Sequence, residues 1–245
     1  MSISRSRRGG PIHWFIEGET WPEEPVWGDI EPGKLEVIGD NLAGTAARRM
    51  GPFLERYGSL ISNLSLESRY LGPEARIDLS VLNLAKLCPN LTRLWMQGVT
   101  VSSSVFGPAK LEKLHLQECG ISGSDALRLG DSQHGAAVNL EEVALYQCNL
   151  ATPSLSWGPF SGLRDFDYRL DDPSENRYPA NFHFADCGEL SKLTLDIKGD
   201  FSLSLAGIMP QLAEVRLDAG PQHQAQLLAE NLRQCTFNLV RKHYC

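Results

Sequence analysis

Three stretches decide the reading: LTRLWMQGVTV from Leu91, LEKLHLQECGI from Leu111 and LEEVALYQCNL from Leu140. Each follows the pattern L-x-x-L-x-L-x-x-(C/V)-x-(L/I/V), with Met96 and Val143 each standing in for one leucine, and self-similarity of this kind is the signature of a repeat architecture. The x-L-x-L-x portion alternates with period two. Its leucines therefore project to one side of a strand and the residues between them to the other. A lone strand cannot bury such leucines, whereas parallel copies stacked about 4.8 Å apart merge them into one continuous core. Cysteine at the ninth position, Cys119 and Cys148, suits the turn where the chain leaves the strand and inward-facing backbone groups need partners.

Working outward, four weaker copies follow the same phase: ISNLSLESRYL from Ile61, LRDFDYRL from Leu163, LSKLTLDI from Leu190 and LAEVRLDA from Leu212. A half copy, LEVIGDNL, begins at Leu35, and a last one falls at Cys235 and Phe237. Three residues before the first leucine of successive units stand Cys88, Pro108, Ala137, Phe160, Cys187 and Met209, all apolar or small, as a returning segment packed inward requires. Unit starts differ by 30, 20, 29, 23, 27 and 22 residues, so long and short units alternate. The long ones have room for a returning helix, expected at Ile77–Leu87 and Ser124–Leu129. Short ones, such as Gly98–Lys110, are expected to return by an extended or single-turn segment.

The ends read as caps, which repeat stacks need. We expect a tail and cap over 1–34, repeats over 35–221, and a helix-and-strand cap over 222–245. In the first of these, Pro11–Ile16 reads as a short strand. WPEEPVW (Trp21–Trp27) reads either as a cover for the first strand's edge or as a docking element for a groove that accepts Pro-rich chain. Asn41–Tyr57 reads as helical, interrupted or kinked at Pro52. Gln222–Leu232 reads as an amphipathic helix with Leu227, Leu228 and Leu232 at core spacing, followed by a strand within Cys235–Lys242. Asp171–Pro179 is the polar loop expected to protrude.

Composition narrows the function classes. The 245 residues are 42% hydrophobic and 22% charged, enough for a sizeable core, with a formal net charge of −7. An acidic balance argues against nucleic acid, whose phosphates require surplus Lys and Arg. No run of about 18 apolar residues exists, so no membrane span is expected. Met1–Gly10 carries Arg5, Arg7 and Arg8 without a following apolar stretch and reads as a flexible tail. Six cysteines, at 88, 119, 148, 187, 235 and 245, show no C-x-x-C spacing; reduced thiols in a cytoplasmic setting are expected. The sequons at Asn63 and Asn90 are then incidental.

LCPNLTRLWMQGV, LEKLHLQECGI and LEEVALYQCNL resemble the cysteine-containing class of leucine-rich repeats known from F-box-type substrate receptors and the ribonuclease-inhibitor-like superfamily. The resemblance covers roughly residues 60–235 and is strongest over three units. It implies an α/β leucine-rich-repeat solenoid: a curved horseshoe with a parallel β-sheet on the concave face, irregular helices and loops on the convex face, and protein recognition on the concave side. From Leu163 onward the ninth and eleventh positions depart from the pattern, with Asp171, Pro173, Lys198 and Asp200 there.

Outward strand positions stack into columns, so the recognition surface can be written from sequence. One column is Asn63, Arg93, Lys113, Glu142, Asp165, Lys192 and Glu214; the next is Ser65, Trp95, His115, Ala144, Asp167, Thr194 and Arg216; the third is Glu67, Gln97, Gln117, Tyr146, Arg169, Asp196 and Asp218. Exposed aromatics on such a face have the character of interface hot spots; the other reading of Trp95 is that it packs under a terminal loop of its own chain. The candidate partner-binding set is therefore Arg93, Trp95, Gln97, Lys113, His115, Gln117, Tyr146, Asp165, Asp167 and Arg169. Asp165 and Asp167 share one side of a strand, where they could share a proton, bind a cation or meet a basic partner, or form a solvated acidic face. Phosphate loop, dinucleotide fingerprint and nucleophile turn are all missing, and His115 and Cys119, four apart, face opposite ways. No catalysis, cofactor, metal or small-molecule substrate is expected. The expected function is a recognition module or adaptor for a protein partner; the alternative is a regulatory or inhibitory subunit that contacts an enzyme through caps and the Asp171 loop.

Overall fold

The computed structural model describes residues 3–4, 12–15, 33–39, 45–68, 77–80, 82–102, 105, 110–122, 127–129, 139–150, 152, 154–158, 162–171, 178–233 and 238–241. Alternating apolar runs form strands, as expected. β1 (Ile3–Ser4) and β2 (Ile12–Phe15) pair antiparallel, and β2 then pairs parallel with β3 (Gly33–Gly39). Helix α1 (Thr45–Tyr57), with Pro52 inside it, and a 3-10 turn (Gly58–Leu60) lead into β4 (Ile61–Ser68). The circuits that follow contain β5 (Ile77–Asp78), α2 (Leu84–Leu87), β6 (Arg93–Gln97), β7 (Val99–Ser102), β8 (Lys113–Gln117), β9 (Gly120–Ser122), β10 (Leu127–Leu129) and β11 (Glu142–Tyr146). After them come β12 (Asn149–Leu150), β13 (Ser154–Trp157), β14 (Asp165–Leu170), β15 (Asn181–Ala185) and β16 (Lys192–Ile197). β17 (Phe201–Ile208), β18 (Glu214–Asp218), β19 (Ala225–Arg233) and β20 (Asn238–Arg241) complete the order.

Each circuit from β4 on places one strand in an 11-stranded main sheet, ordered β1-β2-β3-β4-β6-β8-β11-β14-β16-β18-β20. The return segments build two further parallel sheets: β12-β9-β7-β5 and β10-β13-β15-β17-β19. The chain is a parallel β-solenoid. This corrects the α/β expectation of helices on the far side. The returns FSLSL and NFHFA alternate with period two, and stacking them edge to edge satisfies the backbone that a helix would otherwise satisfy internally.

Three helix expectations are corrected for the same reason. Ile77–Leu87 opens as strand β5 and, among the described residues, holds only the four-residue helix α2. Asp78 Oδ1 accepts from Ser80 N (2.9 Å), a local turn, and Asn83 Oδ1 caps Lys86 N (3.1 Å). Leu127–Leu129 is strand β10, while 124–126 lie outside the described residues. Gln222–Leu232 is no helix: β19 extends over Ala225–Arg233 and lays Leu227 opposite Leu203 of β17, leaving Leu228 42% exposed. Tertiary strand pairing here overrides the helix propensity of Gln, Leu and Ala. The expected terminal strands are present as β2 and β20, and the expected helix near Pro52 is present as α1. Trp21–Trp27 and most of the Asp171–Pro179 loop lie outside the described residues.

The core is one cluster that runs through every described circuit. Leu94/Met96, Leu114/Leu116, Val143/Leu145, Phe166/Tyr168, Leu193/Leu195 and Val215/Leu217 are buried on the main sheet, facing Val99/Val101, Leu155/Trp157, Phe182/Phe184 and Leu203/Leu205 from the returns. The leading leucines Leu91, Leu111, Leu140, Leu163, Leu190 and Leu212 and the offset residues Cys88, Cys187 and Met209 are buried too. Turn chemistry matches the expected role of the ninth position. Cys119 Sγ donates to Met96 O and Gln117 O, and Cys148 Sγ to Leu116 O and Tyr146 O. Just before these positions the backbone turns left-handed at Gly98 (φ 68), Glu118 (φ 54) and Gln147 (φ 53). Each of the three residues donates its N–H to the next circuit.

Candidate recognition face

Parallel pairing in register fixes the outward columns. Asn63, Arg93, Lys113, Glu142, Asp165, Lys192 and Glu214 are consecutive Cα partners, as are Ser65, Trp95, His115, Ala144, Asp167, Thr194 and Arg216. Glu67, Gln97, Gln117, Tyr146, Arg169, Asp196 and Asp218 form the third column. All ten candidate residues therefore lie on one face of four neighbouring strands, β6, β8, β11 and β14. Arg93 and Arg169 are exposed; Trp95, Gln97, Lys113, His115, Gln117, Tyr146 and Asp165 are partly exposed; Asp167 is buried at 7%.

Two groupings emerge. In the first, Trp95, His115 and Tyr146 form an aromatic row, with ring centroids 6.2 Å apart (tilted) and then 5.0 Å apart (edge to face). Burial lowers the His115 imidazole pKa below its ordinary value, against a smaller upward pull from Glu142 and Asp167. Its Nε2 has no hydrogen-bond partner among the described residues. The row continues into Arg169, whose guanidinium carbon lies 5.3 Å from the Tyr146 ring centre. The Tyr146 hydroxyl donates to Asp167 Oδ2 (3.2 Å).

The second grouping is a mesh of charges on β14, β16 and β18. Arg169 donates to both oxygens of Asp167 (2.9 and 2.6 Å), a bidentate fork. Asp165 Oδ2 meets Lys192 at 3.9 Å, Arg216 meets Glu214 at 3.3 Å, and Lys198 bridges Asp196 (2.6 Å) and Asp218 (3.3 Å). Asp165 and Asp167 are thus engaged by different cations rather than by each other. Burial raises the Asp165 pKa, against the opposing effect of Lys192. Among the described residues no group of three or more His, Cys, Asp or Glu is placed to hold a metal.

Alternation fails as a guide to exposure at several outward positions besides Asp167. Thr194, in an outward column, is only 1% exposed, and Ala144 and Asp218 are buried as well. Thr194 lies between Asp167 and Arg216 in its column, each held in an ion pair along its own strand, with Arg169 and Glu214. Sequence reasoning also left Glu142 and Lys192 out of the site, although they hold Lys113 (2.5 Å) and Asp165. Their adjacency in the first column was the available signal. His115 and Cys119 do face opposite ways, the first outward and the second into the core.

Comparison with known protein families, with curated proteins and with solved structures gives no match for this chain. No described helix is long and apolar enough to cross a membrane.

Proposed function

We propose that this chain is a recognition module of the cysteine-containing leucine-rich-repeat kind, an adaptor that holds a protein partner on the outward face of its main sheet. The observation that carries the reading is the Trp95–His115–Tyr146 row, three aromatic side chains brought together on consecutive strands and left partly open. Large rigid rings lose little conformational entropy on docking and remove much apolar surface from water, which is why they dominate interface energetics. The four described cysteines are free, buried thiols, compatible with the reducing cytoplasm in which we place the protein.

The test is affinity capture with wild type and with Trp95→Ala and Tyr146→Ala, each first shown to unfold at an unchanged denaturant midpoint. A captured protein is then purified and its affinity measured directly. Each substitution is expected to weaken binding by about 2 kcal/mol, roughly thirtyfold. Affinity unchanged in both variants rules the proposal out. Binding lost instead on replacing the Asp171–Pro179 loop favours the regulatory-subunit reading.

A further inference from the structure

We propose, building on that reading, that the aromatic row is a docking surface for a proline-rich segment of a partner protein, bound as a polyproline II helix with a carboxylate over Arg93. Geometry selects the conformation. The row spans at most about 11 Å from Trp95 to Tyr146 by its two centroid steps, and a polyproline II helix presents same-facing residues every three positions, about 9 Å apart. Trp95 and Tyr146 sit on strands two steps apart in the sheet, about 9.6 Å at ordinary strand spacing. Prolines at i and i+3 therefore fall over the outer two rings, with His115 beneath the residues between. An added β-strand is excluded here, because β6, β8 and β11 are interior strands whose backbone ladders are already paired on both sides.

Polarity agrees. A polyproline II segment makes no internal hydrogen bonds, so its carbonyls need donors. Gln97 and Gln117 stand beside the row in the neighbouring column; Gln97 has a side-chain amide N–H₂ to offer, and Gln117, which gives one N–H to Glu118 Oε1 (3.4 Å), has a second. Charge fixes the direction. Arg93 is exposed and has no carboxylate partner among the described residues, and its register neighbour Lys113 is paired with Glu142. The Arg93 end therefore carries uncompensated positive charge. At the other end Asp167 is occupied by Arg169 and Asp165 by Lys192. A partner carboxylate gains only at the first end.

The test is selection from a random linear peptide display library on the full chain, in parallel on Trp95→Ala, Tyr146→Ala and Arg93→Glu, each with an unchanged unfolding midpoint. Fluorescence anisotropy with a labelled Glu-Pro-Ala-Ala-Pro-Ala peptide follows. Wild type is expected to enrich P-x-x-P sequences flanked by Asp or Glu. The probe should bind at least about tenfold more weakly to Trp95→Ala and Tyr146→Ala. Arg93→Glu should shift the enriched flanks to Lys and Arg. Trp95-dependent enrichment of sequences without the proline spacing overturns this inference while leaving the recognition reading intact. Absence of any Trp95-dependent peptide overturns it as well, the recognition reading then resting on the capture experiment. Enrichment that appears only when Pro22→Ala and Pro25→Ala are also present overturns the separate partner in favour of the chain's own Trp21–Trp27.

Discussion

Two tyrosines of nearly identical chemistry lie on opposite sides of the main sheet, and removing one hydroxyl from each should have very different consequences. Tyr168 is 0% exposed, and its hydroxyl donates to Cys148 O across 3.0 Å. Tyr168→Phe removes a buried hydrogen bond and deprives a turn carbonyl of its donor, at a cost of about 1–3 kcal/mol. Tyr146 is partly exposed. Its hydroxyl bond to Asp167 (3.2 Å) is replaceable by water, and Asp167 keeps both bonds from Arg169, so Tyr146→Phe should cost under about 0.5 kcal/mol. Urea unfolding followed by tryptophan fluorescence suits the comparison. Trp157 is buried in the preceding return strand, 5.5 Å from the Phe166 ring and 6.2 Å from that of Phe184, so it reports locally even where the stack does not unfold as one unit. With a slope of about 2 kcal/mol per molar, the Tyr168→Phe midpoint should fall by about 0.5–1.5 M and that of Tyr146→Phe by less than about 0.3 M. Equal shifts, or a larger one for Tyr146→Phe, would refute the assignment of inward and outward sides.

Other consequences are as accessible. Gly98→Ala, which forces an alanine to φ 68, should lower the unfolding midpoint by an amount equivalent to about 1 kcal/mol. Glu118→Gly at the equivalent position (φ 54) should leave it unchanged or raise it. Burial, partly opposed by Glu142 and Asp167, lowers the His115 pKa, so an NMR titration should place its midpoint below 6.5. The folded chain then binds this proton less readily than the unfolded one. The stability contribution is full above pH 6.5 and lost as pH falls from there through the folded value; a midpoint above 6.5 contradicts the burial argument. The thiols of Cys88 and Cys187 are pushed up to about 12 by burial, and Cys119 and Cys148 are buried in turns. A Cys235→Ser/Cys245→Ser variant should therefore show almost no reaction with a thiol reagent at pH 8 until denatured; rapid native labelling would count against buried turns.

How much was legible depended on whether the signal was local. The strand leucines and the phase of all three outward columns could be written from sequence because a two-residue period fixes side, and a repeated offset fixes register. The route back was less legible. SLSW, NFHFA and FSLSL alternate just as the main strands do, but reading them as strands requires knowing that a neighbour circuit stands ready to pair. QAQLLAENL carries good helix formers whose fate is settled by β17 alongside. In the candidate site the aromatic row was legible for the same reason as the core. The burial of Thr194 was not, since it depends on what stands beside it on the adjacent strands, Asp167 and Arg216, a property of pairs rather than of positions.

The main sheet thus separates two jobs that sequence alternation keeps apart. Inward positions accept Leu, Val, Phe or Tyr with little effect on register, while outward positions are free to vary in chemistry from circuit to circuit. On β14, β16 and β18 that freedom has been used on ion pairs, and a partner docking there would have to desolvate charges already well matched, a cost of several kcal/mol per ion. On β6, β8 and β11 it has been used mainly on rings and amides, whose removal from water meets less opposition, with the Lys113–Glu142 pair along one edge and Arg93 without a carboxylate partner among the described residues. On the proposed reading, docking energy would therefore be concentrated on β6, β8 and β11. A substitution that extends the aromatic row into the mesh, such as Thr194→Tyr, should disrupt the ion pairs around it without creating a second binding surface.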